Sequence, residues 1–180
     1  MTHLLSHFNQ SKTQILDTMW NSPGKKSPIV PPQEDPNWAP GWKFNPTDEE
    51  IVDFYLKGLN SNGFFLNNMI KFIDLKDNHP EKIHENHSHN GLGIWYFYTQ
   101  RVPTGNPSLQ AGKEGYWMGL KNPTNILIKG RIVGSKKEFT FYKGDFAHSI
   151  ETKWRVIEYT LSQAPGAIER VLLKIYMKGN

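Results

Sequence analysis

Cysteine is absent from the 180 residues. That one absence removes disulfides, iron–sulfur clusters, thiolate zinc sites and a cysteine nucleophile. No segment approaches the ~18 uninterrupted apolar residues of a membrane span. The N-terminal stretch MTHLLSHFNQSKTQILDTMW breaks its apolar residues with His, Ser, Asn and Gln, so it holds no signal-peptide hydrophobic core. Asn9-Gln10-Ser11 and Asn86-His87-Ser88 fit the glycosylation sequon, but without a secretory leader they read as chance matches. P-loop, G-x-S-x-G and H-E-x-x-H patterns are also missing. The expectation is a soluble, intracellular chain with no membrane partner, no catalytic residues and no cofactor.

Apolar content is modest at 37%, yet 6 Trp, 7 Tyr and 10 Phe compensate, because each aromatic can bury roughly 150–250 Å². A chain of this length forms one domain plus a tail and needs no covalent staple. Charge is uneven along it. Residues 1–37 hold three Lys and three acids; residues 38–100 hold five Lys and eight acids; residues 101–180 hold thirteen Lys or Arg and six acids. So basic a C-terminal half suggests a polyanionic partner, or a basic face kept for solubility.

Residues 21–41 carry six Pro and two Gly, a density that excludes a helix or a central strand. Residues 1–37 are therefore expected to be a poorly ordered N-terminal extension and Pro-rich linker, followed by a domain over 38–178. The linker gives way to a helix start: Pro46, Thr47 as N-cap and Glu50 three residues on form a capping box. Asp48 and Glu49 suit the positive end of the helix dipole. Ile51, Val52, Tyr55, Leu56 and Leu59 recur at helical spacing, with Gly58 or Gly63 as the stop. Residues 77–93 are polar and turn-rich, with one helical turn expected after Pro80. Strands are expected at residues 94–98, 125–133, 138–142, 154–161 and 171–177, rich in Val, Ile, Phe, Tyr and Thr. Helices early and strands late, without βαβ alternation, indicate an α+β, mainly β domain: a twisted antiparallel sheet flanked by a few short helices.

His79, His84, His87 and His89 crowd together with Glu81 and Glu85. Imidazole and carboxylate can hold zinc, but the segment reads as a loop and no second cluster completes a site, so no metal is expected. Asp48, Glu49 and Glu50 point in different directions on a helix, and capping explains them better than acid–base chemistry. Residues 113–143 hold seven Lys or Arg against two acids, interleaved with strand-forming residues. Lys129, Arg131, Lys136 and Lys137 are expected on neighbouring strands. A β-ribbon with cations on one face can track phosphates or enter a major groove. The alternative is a solvent-facing side whose lysines protect an edge.

Taken together, these segments resemble the NAC domain of plant transcription factors. Residues 38–56 (WAPGWKFNPTDEEIVDFYL) are similar to its opening signature, and residues 95–98 (WYFY) to its aromatic strand. Gly115-Tyr116-Trp117 resemble the start of its glycine-tyrosine-tryptophan-lysine-alanine-threonine-glycine segment. Gly134 to Tyr142, Gly144, Thr152 to Leu161 and Val171 to Lys178 follow in the family's order. The resemblance implies a nuclear, double-stranded-DNA-binding transcription regulator that dimerises with itself or with other NAC proteins.

The resemblance also implies roles for particular positions. Dimerisation would involve Trp42, Lys43, Phe44 and Glu50. Lysine at position 43 replaces the family's arginine and lacks its bidentate fork, in a pair that would contribute about 0–1 kcal/mol. DNA contact would involve Met118, Gly119, Leu120 and Lys121, with Lys129, Arg131, Lys136 and Lys137 holding phosphates. Here the chain departs from the family. Its lysine after the tryptophan is Met118, its two upstream arginines are Pro107 and Gln110, and its later acidic-basic pair is Pro123-Thr124. Each lost base contact removes on the order of 1–3 kcal/mol of discrimination, and each lost phosphate contact about one unit of salt slope. Met118 and Leu120 can still touch a thymine methyl. The residues leave two functions open: a NAC-type DNA binder with weakened or altered preference, or a NAC-fold interaction module that dimerises with intact relatives and modulates them. Family members also continue into a regulatory region beyond the final strand, and this sequence ends soon after that point.

Overall fold

The computed structural model describes residues 43–62, 70–76, 78–101, 109–110, 114–119, 122–162 and 169–179. All of them lie in the unit Pro36–Asn180. Helix α1 covers residues 48–62 in three pieces: Asp48–Glu50, a wide i→i+5 turn at Ile51–Leu56, and Lys57–Asn62. It starts where its chemistry demands. Thr47 is extended (φ −68°, ψ 165°), its Oγ1 accepts from the Glu50 amide at 3.2 Å, and the Glu50 carboxylate accepts from the Thr47 amide at 2.8 Å. Both arms of the capping box are closed. Helix α2, Pro80–Asn86, has Pro at its first position and His79 as N-cap, whose Nδ1 accepts from the Glu81 amide at 3.3 Å.

Among the described residues eight strands follow the order of the chain: β1 Lys71–Phe72, β2 Ile94–Arg101, β3 Leu109–Gln110, β4 Gly115–Gly119, β5 Thr124–Ile128, β6 Arg131–Lys143, β7 Ile150–Leu161 and β8 Glu169–Met177. They form one open, twisted sheet in the order β1-β2-β8-β7-β6-β4-β3, with β5 also on β6. The α+β, mainly β expectation holds with one amendment. The sheet is mixed, because β1 pairs parallel with β2 through Lys71↔Phe97 and Phe72↔Tyr98, while all other pairs are antiparallel. A two-residue strand carries no alternation to read, so no sequence pattern announces it.

The long strand β6 is shared by three neighbours. Its β7 side is paired along most of its length, while its other side is divided between β5 at residues 131–136 and β4 at residues 139–143. The single strand expected at residues 125–133 is in fact the end of one strand, a turn and the start of another. Lys129 (φ 51°) and Gly130 (φ 78°) both adopt left-handed conformations, which makes the two-residue hairpin turn whose twist matches the flanking strands. Gly134 belongs inside β6 because a Cβ there would stand 2.3 Å from the Thr160 carbonyl oxygen and 2.8 Å from Val52 Cγ1.

Both faces of the sheet are covered. On one, Ile51, Val52, Leu56 and Leu59 of α1 pack with Phe44, Tyr96, Ile126, Tyr159 and Leu172. On the other, Ile73, Leu75 and Ile83 pack with Trp95, Phe97, Trp117, Phe139, Phe141, Trp154 and alternate residues of β7 and β8. Burial on both sides makes the centre of β8, Val171-Leu172-Leu173, an unbroken apolar run. Each such side chain contributes about 1.5–3 kcal/mol relative to exposure. The histidine-rich stretch lies on this second layer. His84 and His89 set their ring edges against Trp95, and His87 against Phe97. His84 and His89 remain exposed and His87 half-buried, so these rings cover the aromatic layer from the surface, and among the described residues no three His, Asp or Glu side chains could hold a metal ion.

Candidate nucleic-acid interface

Strand β4 pairs with β6 from Gly115↔Lys143 to Gly119↔Phe139, and on its other side only Trp117 and Tyr116 meet β3. Met118 and Gly119 therefore extend beyond β3, and among the described residues no strand pairs with them on that side. Trp117 is fully buried and anchors the strand. Met118, its side chain on the opposite face, is half-buried beside Thr140. The open strand end is thus anchored by a fully buried tryptophan.

Lys137 completes this end. Its stem crosses Gly119, where a Cβ would lie 2.6 Å from Lys137 Cε, and its Nζ sits 5.2 Å from the centre of the Phe139 ring. The absence of a side chain at Gly119 lets the lysine lie along the strand, and the ring face favours its charge. Gly119 and Lys137 thus meet on one face of the strand end, and the Met118 side chain stands on the other. Leu120, Lys121, Pro107 and Trp42 lie outside the described residues.

The other expected phosphate ligands are not gathered there. Lys136, next in sequence to Lys137, points to the opposite face. Its Nζ reaches Asp48 Oδ2 at 2.5 Å, and the Tyr159 hydroxyl donates to Asp48 Oδ1 at 2.6 Å. Burial pushes the Asp48 carboxyl up, but the hydrogen bonds from Lys136 and Tyr159 outweigh it and leave the pKa lowered. Lys136 is engaged in fastening α1 to the sheet. Lys129 is at the tip of the β5–β6 hairpin and Arg131 opens β6. Six residues separate Arg131 from Lys137, about 20 Å of strand. The four cations expected on one face of neighbouring strands therefore divide into three places. Alternation explains the first split and the unforeseen turn the second.

The expected dimer residues have jobs within the chain. Phe44 is buried edge-on to Tyr55 (5.3 Å) and Tyr96 (4.9 Å), and its carbonyl accepts from Asn90 Nδ2 at 2.6 Å. Glu50 closes the capping box while its side chain stays exposed. Lys43 is exposed and its stem lies against Gly91. What the sequence missed was the Asp48–Lys136–Tyr159 junction. Its acid was legible only as a helix-start residue, and nothing in linear order relates position 48 to 136 or 159.

A family profile described as No apical meristem (NAM) protein matches residues 39–161. NAC domain-containing protein 20 of Oryza sativa subsp. indica is 36% identical over 138 residues, covering 73% of this chain and 43% of that protein. Protein CUP-SHAPED COTYLEDON 3 of Arabidopsis thaliana is 35% identical over 127 residues, covering 68% of this chain and 38% of its own. NAC domain-containing protein 2 of Solanum lycopersicum is 32% identical over 154 residues, covering 78% and 56%. The chain spans less than half the length of the rice relative it matches. With the match running from the segment before α1 to the end of β7, the chain belongs to the No apical meristem (NAM) family of NAC-domain proteins.

Proposed function

We propose that residues 38–178 are a DNA-binding domain that acts in the nucleus as a NAC-type transcription regulator, preceded by an extension at residues 1–37. It acts by binding rather than catalysis. The observation that carries the proposal is the open end of β4, where Met118 and Gly119 project past β3, with Lys137 laid across Gly119 on one face and the Met118 side chain on the other. In this reading the strand end enters the major groove, Lys137 and Lys121 hold phosphates, and Met118 and Leu120 meet thymine methyls. Sequence preference is weakened, because the family's lysine is Met118 and Lys136 is committed to Asp48.

Titration of the full chain on CGT-core and scrambled duplexes at two salt concentrations tests this. Salt-dependent binding with modest discrimination is expected. Met118→Lys should tighten binding and steepen the salt slope by about one unit, and Lys137→Ala should flatten it by about one unit. Strong discrimination at physiological salt by the natural chain would refute the weakened preference. A second reading is favoured by the same methionine: a module that pairs with an intact NAC protein, through Trp42, Lys43, Phe44 and Glu50, and binds DNA poorly itself. No salt-dependent DNA binding, with recovery of an intact NAC partner in co-purification, would select it.

A further inference from the structure

The end of β4 opposite to Met118 and Gly119 carries a group of aromatic rings that DNA contact at the open end does not use. Tyr116 stacks on Tyr142 (ring centres 5.6 Å apart, planes at 11°) and on Phe146 (5.3 Å, 26°). Tyr116 is buried, whereas Phe146 is 79% exposed. The loop that presents Phe146 is tied down around it. Gly144 takes a left-handed φ of 105°, and its amide donates to the Glu114 carbonyl at 2.9 Å. Asp145 Oδ1 accepts from the amides of Ala147 (2.9 Å) and His148 (2.8 Å), and the Ser149 and Tyr116 hydroxyls are 2.8 Å apart. So exposed a ring adds little burial to the fold. Held in place before a ligand arrives, it loses little entropy on binding one.

Charge indicates the ligand. Three carboxylates stand around the rings: Glu114, beside Gly144 and on the Tyr116 side of β4; Asp145, next to Phe146; and Glu151, across from Tyr142 on β7. All three are exposed, and Glu114 has no ion pair with a described residue. The cations nearby are engaged or placed elsewhere. Arg155 is held by Glu151 at 2.8 Å, Lys143 reaches Glu81 on the opposite face at 3.8 Å, and Lys153 lies farther along β7. The phosphates of a single strand would be repelled by these acids, which argues against a nucleobase on the ring. An arginine side chain fits both features. Its planar guanidinium stacks on an aromatic face, and its fork of donors matches a carboxylate. Ile150, 73% exposed at the start of β7, offers an apolar contact for a neighbouring side chain.

We infer that Phe146, with Glu114 and Asp145, is a docking point for an arginine-bearing basic segment of a partner protein, the guanidinium stacking on the ring and pairing with the carboxylates. Fluorescence anisotropy tests it: the full chain is titrated into a labelled octapeptide of alternating glycine and arginine, its lysine counterpart, and an oligothymidylate. The chain has a formal net charge of +4, so its overall field opposes a cationic peptide and binding reports a local acidic site. The arginine peptide should bind more tightly than the lysine one. Phe146→Ala, which leaves charge unaltered, should weaken the arginine peptide about two- to fivefold. Phe146→Trp should restore its binding, and Glu114→Gln should weaken it by up to about fivefold. Phe146 and Glu114 are exposed, so circular dichroism should show each variant folded. No binding of the arginine peptide up to about 1 mM, equal affinity for the two peptides, or indifference to Phe146→Ala would overturn the inference. So would oligothymidylate binding that Phe146→Ala abolishes, which would make the ring a base-stacking platform instead.

Discussion

Replacing Asp48 with asparagine isolates the charge that fastens α1 to the sheet. The wild-type carboxylate accepts from Lys136 Nζ at 2.5 Å and from the Tyr159 hydroxyl at 2.6 Å. A hydrogen bond to a charged group is worth about 1.5–3 kcal/mol when buried. Here the Asp48 and Lys136 side chains are 32% and 35% exposed, so solvent screening brings the ion pair to about 1 kcal/mol. Asparagine keeps the shape and still accepts from Tyr159, but more weakly. Burial holds the Lys174 pKa down, opposed by Asp48 and reinforced by Lys136, so the neutral side chain also leaves two ammonium groups facing one another. The expected cost at pH 7 is about 1–2 kcal/mol, or about 3–6 °C in Tm for a domain of this size.

The pH dependence separates charge from shape. Asp48 has its folded pKa lowered from 3.8, so its contribution is fully present above the unfolded value. It is lost as pH falls from about 5 through 3.8 toward the folded value. Asparagine has no such contribution to lose. Thermal unfolding of both proteins between pH 7 and pH 3 should show their difference narrowing in that window. A difference that persists unchanged at pH 3, or none at pH 7, would refute the charge-based account of the junction.

Two further substitutions probe the backbone. Gly134→Ala should cost about 2–4 kcal/mol, since its Cβ meets the Thr160 carbonyl at 2.3 Å and Val52 of α1. Gly58→Ala, with nothing within 4 Å inside a helix, should gain up to about 1 kcal/mol; thermal unfolding of the pair gives opposite signs. Lys129→Asn should raise stability by roughly 0.5–1 kcal/mol, because asparagine tolerates the left-handed φ of 51° better than lysine does. Chemical denaturation at dilute protein concentration reads that gain.

What the sequence made legible were features that local chemistry decides. The capping box at Thr47 and Glu50 and the helix after Pro80 both arise from neighbours within a few residues. Features set by partners distant in the chain were not legible. Gly134 looks like a strand breaker until Thr160 and Val52 are beside it. Lys129-Gly130 is a weak turn signal, since lysine seldom takes the first left-handed position, and β5 and the first residues of β6 consequently merged into one expected strand at 125–133, with the rest of β6 expected separately at 138–142. The aromatic partners of His84 and His87 were likewise not legible, because Trp95 and Phe97, which these rings touch from the surface, lie on β2.

The same limit governs the candidate site. Lys136 and Lys137 are indistinguishable in composition and adjacent in sequence, yet the period-two alternation of β6 sends one to Asp48 and the other across Gly119 toward Phe139. Net positive charge in residues 101–180 thus overstates the cation gathered at the open end of β4. Of four basic residues expected on one ribbon, one is held by an internal acid, two stand about 20 Å along the strand, and one borders the open end of β4. A phosphate-binding count taken from sequence would give four contacts, whereas the folded strand offers one beside that end. Since each phosphate contact contributes about one unit of salt slope, Lys129→Ala and Arg131→Ala should leave the DNA salt slope nearly unchanged while Lys137→Ala lowers it. Equal losses at all three positions would show that duplex DNA lies along the whole of β6, and the division of this strand into separate sites would then be wrong.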